Sequence, residues 1–322
     1  MKAISVESHG GPEVLQLKDV EAPTPAEGEV LIDVLVAGIN YIDTYFREGI
    51  YPSDLPFTPG KEGVGRVAYD PEGIIAEGTK VAWADSFGSY AEQVCVARDR
   101  LVAVPQEIDD ETAASMLLQG MTAHMLVHSV YDLVENSTCL VTAGAGGVGL
   151  LVTQMAADRG ATVISVVSSD AKEERAYAAG ATHVLRYGDD LVEQVRELTA
   201  GQGVDVVYDG VGQATFDQSL HSVKPRGLVV LFGAASGPVD PLDPQVLNQR
   251  GSIYLTRPSL GAYVADGDEF TMRAQAVVQA IVEKRLDVTV SASYPLAEAE
   301  RAHRDLQERA TVGSIVLRMA EG

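Results

Sequence analysis

A chain of 322 residues, 46% of them hydrophobic, has enough apolar material for two buried cores and is not a disordered chain. A formal net charge of −22 argues against nucleic acid or an anionic membrane as partner, and no stretch approaches the ~20 apolar residues of a membrane span. Two cysteines, Cys95 and Cys139, make a disulfide framework unlike this chain, and the opening MKAISVESHGG lacks the apolar core of a signal peptide, so the cytoplasm is the expected compartment.

Residues 1–115 are rich in Val, Gly and Pro, with short alternating runs at 29–36 and 80–83 between turn signals, the pattern of a compact, mainly β domain. Within it GINYIDTYFREGIYP, residues 38–52, carries Asn40, Asp43, Tyr45, Arg47 and Tyr51. So many polar and aromatic groups beside a β-rich core read as a pocket lining; the plainer reading is a loop with a short helix starting at Asp43 and Thr44. PGKEGVGRV, residues 59–67, is a glycine-dense turn entering a strand, with Glu62 read as structural. A helix is expected from Asp109 or Asp110 through Thr122 to Ser129, capped by those carboxylates.

Residues 138–172, TCLVTAGAGGVGLLVTQMAADRGATVISVVSSDAK, organise the rest. A short β-favouring run, 139–142, enters Gly144, Gly146 and Gly149, which fit G-x-G-x-x-G, and Val148, Leu151, Val152 and Met155 then mark one apolar helix face. Strand, turn, helix and strand make a βαβ unit. Its glycines serve a tight turn, close approach to a pyrophosphate, and helix–strand packing, while N–H groups at the helix start face the phosphates. A carboxylate ending the second strand, 161–167, would hold the ribose hydroxyls of NAD; the residue there is Ser168. Ser168, Ser169 and Lys172 instead suit a 2′-phosphate, which favours NADPH. The competing reading makes Asp170 the ribose ligand, but two residues late it reads as the N-cap of the next helix.

Helix 171–179, strand 182–186, helix 189–199, strand 204–208, helix 213–223, strand 228–232 and a last strand at 252–256 continue the alternation, which implies a doubly wound parallel sheet of six strands. Ligands belong beyond the strand C-termini. From about residue 259, a long helix, 269–284, and then strand, helix and strand return to the first domain.

The order of motifs resembles the zinc-independent quinone oxidoreductases of the medium-chain dehydrogenase/reductase superfamily over nearly the whole chain. The resemblance rests on HGGPEVL at 9–15, GINYIDTYFREGIYP, LQGMTA at 118–123, AGAGGVG at 143–149, VVYDGVG at 206–212, LNQRGSIYLTRPSL at 247–260 and ERATVGSIVL at 308–317. It implies an α/β chain: a GroES-like mainly β catalytic domain made of residues 1–115 and 259–322, around a Rossmann NADPH-binding domain of residues 116–258. It also implies a homodimer, joined through the edge strand near 252–256, that reduces quinones with NADPH. By the resemblance, Asn40, Tyr41 and Tyr45 stand near the nicotinamide and the substrate, and Thr122 where an interdomain helix meets the cofactor. Tyr51 corresponds to the proton-donating tyrosine of enoyl reductases. Gly146, Gly147 and Val148 match the pyrophosphate turn, Ser168 and Lys172 the 2′-phosphate site, and Tyr187 the place beside the adenosine. Gly210, Phe232, Gly233, Ser236 and Pro258, Ser259 and Leu260 match the wall over the nicotinamide ribose, with Arg309 closing the site. Asn40, Tyr45, Tyr51 and Thr122 form the implied catalytic set. Gly210 lacks a hydroxyl that some relatives carry there, and the segment AYDPEGIIAEGTKV after Val67 is short for the family.

Zinc-dependent relatives place a cysteine where Asn40 stands and a histidine where Lys61 stands, and the six histidines here show no ligand spacing, so no metal is expected. Hydride addition to an electrophilic quinone needs little activation, and the protein's part is to align nicotinamide and acceptor, with Tyr45 and Asn40 bonding the oxygen that becomes negative. The nearest rival is an NADPH-dependent reductase of enoyl or 2-alkenal double bonds, acting on another electrophilic carbonyl compound. A non-catalytic NADPH- or RNA-binding module is the rival from another class. Among the basic residues 7 are Lys and 17 Arg, against 46 acids spread along the chain. That is the pattern of a surface adapted to high salt; an ordinary acidic cytosolic enzyme is the plainer alternative.

Overall fold

The structure is a computed structural model and describes residues 1–320. The chain divides into two compact units, residues 1–121 with those from 264 onward, and residues 122–263. No helix among the described residues is long and apolar enough to cross a membrane.

In the first unit the alternating run at 29–36 is part of a longer strand, Glu29–Ile39. Val30, Ile32 and Val34 point from one face of it into a core with Val67, Val81, Trp83, Val94 and Val96, as a half-buried strand requires. The sheet runs in the order Val290–Pro295, Ser314–Arg318, Glu29–Ile39, Glu62–Tyr69, Lys80–Ala84, Leu101–Ala103, and Gln93–Ala97 also pairs with Glu29–Ile39. The chain's end therefore closes on its beginning: Ile315 lies opposite Ile39 and Leu317 opposite Ala37. Gly63 is needed for packing, since a Cβ there would lie 2.6 Å from Trp83 Cζ2. The short segment after Val67 is wound around Asp70, whose carboxylate accepts from the N–H groups of Glu72, Ile74 and Ile75 and from Arg98.

The second unit is a doubly wound sheet of six parallel strands in the order His183–Arg186, Thr162–Val167, Thr138–Val141, Val204–Asp209, Val223–Leu231, Tyr254–Thr256. The order reverses beside Thr138–Val141, so the loops following that strand and its neighbours form the crevice where such sheets take ligands. Leu140, Ile164, Val166, Val207 and Val229 bury the sheet under helices Leu191–Leu198 and Phe216–Ser222.

Three expectations need correction. The helix expected from 109 to 129 is interrupted: Asp110–Ala113, capped by Asp109, stops, and Leu117–Met125 starts anew before a π-helical turn, Leu126–Val130. The Ser115 hydroxyl donates to the Glu111 carbonyl (2.6 Å), and the Ala114 carbonyl lies where a Cβ on Gly38 would meet it at 2.2 Å; back-bonding of this kind bends a helix. The short helix near 43 begins earlier, as Tyr41–Glu48, because Asn40 caps it: the Asn40 N–H donates to Asp43 Oδ2 at 2.8 Å. Asp170 is not a helix cap. Ser169 holds that place, and Asp170 is the first residue of Asp170–Ala178, with its carboxylate paired to Arg186.

Candidate active site

In the first unit the strand Glu29–Ile39 delivers Asn40, and the helix that Asn40 caps sets Tyr41 and Tyr45 one turn apart. The chain then folds back, Tyr51 N–H donating to the Tyr45 carbonyl at 3.2 Å. The three tyrosines expected at the site are thereby assembled: Tyr45 stands edge-on to Tyr41 (5.6 Å between centroids) and to Tyr51 (5.4 Å). Phe46 and Phe87 continue the cluster, with the Lys61 ammonium over both rings, 5.2 and 4.7 Å from their centroids, and 2.5 Å from Asp85 Oδ1. Arg309, in a left-handed turn (φ 57°) after helix Ala299–Gln307, brings its charge to act on Tyr41, whose hydroxyl is nonetheless raised above its ordinary pKa by burial.

Asn40 is buried and its amide is engaged at both ends: Nδ2 donates to Glu62 Oε2 (2.9 Å) and Oδ1 accepts from Gln119 Nε2 (3.1 Å). Gln119 Oε1 in turn accepts from Ser314 Oγ (2.8 Å), and the second Glu62 oxygen accepts the Leu118 N–H (2.8 Å) at the start of helix Leu117–Met125. One buried chain thus ties the cap of the tyrosine helix to the last strand and to residues 118 and 119 within the first unit; Thr122 is half-buried. A second chain leaves Asp43. The Arg47 guanidinium can only donate, so His303 Nδ1 accepts it (3.0 Å), His303 Nε2 carries the hydrogen toward Tyr90 Oη (3.1 Å), and the Tyr90 hydroxyl donates to Asp43 Oδ2 (3.0 Å). Burial pushes Glu62 up to about 8 and Asp43 up to about 6, and with the Arg47 charge it pushes His303 down to about 3. Gln119, Tyr90 and His303 were not singled out from sequence; only the apolar spacing of Ala299, Ala302 and His303 marks the last as inward-facing.

In the second unit the glycine turn follows strand Thr138–Val141. A Cβ on Gly144 would lie 1.8 Å from Ser165 Oγ, and one on Gly149 2.3 Å from the Ala143 carbonyl oxygen, so both serve the fold's own packing. At Gly146 a Cβ would meet only the Ala143 carbonyl, at 3.2 Å. Gly146 is the residue that packing does not demand, as expected where a phosphate approaches the backbone. It is also the N-cap of helix Gly147–Asp158, with no side chain bonded there, so Gly147 and Val148 present a helix start suited to an anion. Ser168 is exposed at the end of Thr162–Val167, and Lys172 is half-buried one turn into the next helix. Tyr187 reaches back to the turn, its hydroxyl accepting the Ala143 N–H at 2.7 Å.

The structure brings Gly210, Phe232, Gly233 and Ser236 together. The ring of Phe232 occupies the side-chain place of Gly210, where a Cβ would be 2.7 Å from Cζ. Phe232 N–H donates to the Asp209 carbonyl (2.9 Å), and Ser236 bonds the Val211 carbonyl through both N–H and hydroxyl (2.8 Å each). Beneath them Asp209, fully buried, accepts from Thr142, Val211, Gly212, Thr215 and Ser219. Pro258, Ser259 and Leu260 follow the edge strand, held beside these loops by Arg257 Nη1 on the Leu231 carbonyl (3.1 Å).

Against known families, residues 26–106 match the alcohol dehydrogenase GroES-like domain and residues 147–290 the zinc-binding dehydrogenase domain. Quinone oxidoreductase 1 of Escherichia coli is 40% identical over 321 residues, 98% of each chain. The chain belongs to the quinone oxidoreductases of the medium-chain dehydrogenase/reductase superfamily. This family also includes a mycobacterial structure solved with NADPH, 49% identical over 99% of this chain and 100% of the other with a TM-score of 0.96. A 2-haloacrylate reductase of a Burkholderia species is 34% identical over 98% of both chains. Among the described residues no group of three or more His, Cys, Asp or Glu side chains is placed to hold a metal ion.

Proposed function

We propose that the protein is an NADPH-dependent quinone reductase that works without a metal, a cytoplasmic homodimer in which residues 1–115 and 259–322 act on the quinone and residues 116–258 hold the cofactor. The reading rests on the full-length likeness to Escherichia coli quinone oxidoreductase 1 together with Ser168, where an NAD-binding chain carries a carboxylate. NADPH supplies a hydride when bound. Gly146, Gly147 and Val148 would receive its pyrophosphate, Ser168 and Lys172 its 2′-phosphate and Tyr187 its adenosine. Gly210, Phe232, Gly233, Ser236, Pro258, Ser259 and Leu260 would wall the nicotinamide ribose, and Thr122, Tyr41 and Arg309 would complete the cofactor contacts. Tyr45 and Tyr51 donate hydrogen bonds to the acceptor oxygen; Asn40, expected from the sequence to do so with Tyr45, has its amide bound to Glu62 and Gln119 and is assigned instead to fixing the helix that carries Tyr45. The dimer reading is supported by Tyr254, 64% exposed on a strand that ends its sheet.

With 1,4-benzoquinone as acceptor, kcat/KM is expected to be greater for NADPH than for NADH, and Lys172→Ala to narrow the gap mainly by raising the NADPH KM. Equal use of both cofactors by the parent enzyme would refute the cofactor assignment.

The likeness to 2-haloacrylate reductase favours a second reading, reduction of an electron-poor carbon–carbon double bond. That reaction needs a proton on carbon, so its tyrosine acid contributes roughly 10²-fold or more. Quinone oxygens take protons from water. Tyr45→Phe and Tyr51→Phe are therefore expected to slow quinone reduction by no more than about tenfold, the worth of one hydrogen bond. Near-complete loss in Tyr51→Phe, with enoyl substrates turned over faster than quinones by the parent, would establish the second reading instead.

The charge of −22 and the arginine bias support a high-salt habitat. The melting temperature is expected to rise as KCl reaches molar concentration, because screening relieves self-repulsion. A melting temperature unchanged by salt would leave the ordinary acidic enzyme as the better description.

A further inference from the structure

We infer that Arg186, by holding Asp170 and Glu173, sets the preference of this nucleotide site for a 2′-phosphate over a free ribose diol. The inference rests on the NADPH reading and concerns residues outside the set proposed above to touch the cofactor.

Arg186 ends the third strand, His183–Arg186, and lies opposite Val167 in the parallel ladder, level with the place where the chain passes to Ser168. Its Nη2 is 2.7 Å from Asp170 Oδ1 and 2.5 Å from Glu173 Oε2. Both acids stand in the first turn of Asp170–Ala178, two and five residues beyond Ser168. Arg186 Nη1 is enclosed and has no hydrogen-bond partner, so the guanidinium serves the two acids from where it lies.

These acids are in the wrong place for an anion. A carboxylate at the end of the second strand is the device by which such sheets accept ribose hydroxyls and repel a phosphate. The Asp170 side chain is fully exposed, and the guanidinium is paired with it. Arg186 neutralises one of the two charges and turns both carboxylates toward the third strand, leaving the Ser168 side of the helix start to the dianion.

Binding of 2′,5′-ADP and of 5′-ADP, measured by isothermal titration calorimetry on the full chain at low salt, isolates this effect from turnover. Arg186→Gln should weaken 2′,5′-ADP by roughly ten- to a hundredfold, the effect of one or two exposed charges at about 6 Å, while 5′-ADP changes by less than about threefold. The triple variant Arg186→Gln, Asp170→Asn, Glu173→Gln, which carries one negative charge fewer than the parent, should bind 2′,5′-ADP at least as tightly as the parent. If Arg186→Gln does not fold, Asp170→Asn with Glu173→Gln answers the same question, and should tighten 2′,5′-ADP by roughly ten- to a hundredfold, since it removes two negative charges. An unchanged ratio of the two affinities in Arg186→Gln, or no recovery in the triple variant, overturns the inference while leaving NADPH in place. A parent chain that binds 5′-ADP as tightly as 2′,5′-ADP removes the NADPH reading itself.

Discussion

Asp209→Ala is expected to destabilise the second unit by about 3–5 kcal/mol and to lower its melting temperature by about 10 °C. The Asp209 carboxylate is fully buried and accepts from two backbone N–H groups, Val211 (2.9 Å) and Gly212 (3.1 Å), and from three hydroxyls, Thr142 (3.0 Å), Thr215 (2.8 Å) and Ser219 (2.6 Å). Each buried donor left without an acceptor costs about 1–3 kcal/mol before relaxation. Alanine leaves all five, and the space is enclosed, so water does not replace them readily. The Thr142 hydroxyl also accepts the Gly210 N–H at 3.0 Å, so its release frees the loop that Phe232 and Ser236 are bonded to. Nucleotide affinity should therefore fall along with stability. Calorimetry showing a change below about 1 kcal/mol would mean that the five bonds are dispensable.

The second unit was legible in the sequence because each of its elements is announced locally. The glycine turn, the helix stops at Gly180 and Gly201 and the valine-rich strands fix a parallel sheet without any long-range information, and the ends of those strands point to the ligand side. The motif VVYDGVG marked Gly210 but not why it is glycine; that reason is the ring of Phe232, 22 residues on, which no local pattern carries. In the first unit the clustering of Tyr41, Tyr45 and Tyr51 followed from helical spacing and one turn. The chain Glu62–Asn40–Gln119–Ser314 did not, because its members are 22, 79 and 195 residues apart along successive bonds and each reads alone as an ordinary polar residue. Asp170 was placed one residue off: Ser169, also a residue type suited to an N-cap, holds that position, and Asp170 pairs with Arg186 on the neighbouring strand.

Glu62 gives the first unit a pH dependence of definite sign. Its folded pKa is raised to about 8 from an ordinary 4.5, burial outweighing the bonds from Asn40 and Leu118. Between those values the folded state holds a proton that the unfolded chain has released. Stability from this group is fully present below pH 4.5 and is lost as pH rises through about 8. The two other shifted groups nearby finish titrating early in the interval above pH 6.5 and act in opposite senses: Asp43, at about 6 in the fold, gives up its last proton and lowers stability, while His303, depressed to about 3 in the fold, loses its proton from the unfolded chain around an ordinary 6.5 and raises it, each by roughly a few tenths of a kcal/mol and equally in parent and Glu62→Gln. From pH 6.5 to 8 the slope is thus due mainly to Glu62 and amounts to up to about 1.4 kcal/mol per pH unit, or about 2 kcal/mol across the interval. Glu62→Gln provides the neutral form permanently. Its new amide is accommodated when the Asn40 and Gln119 amides turn over together, reversing each hydrogen bond as far as Ser314, whose hydroxyl both donates and accepts. Urea unfolding midpoints of the parent should fall from pH 6.5 to 8 while those of Glu62→Gln stay level; equal slopes in the two proteins would show that Glu62 is ionised throughout and that the buried chain runs in one direction only.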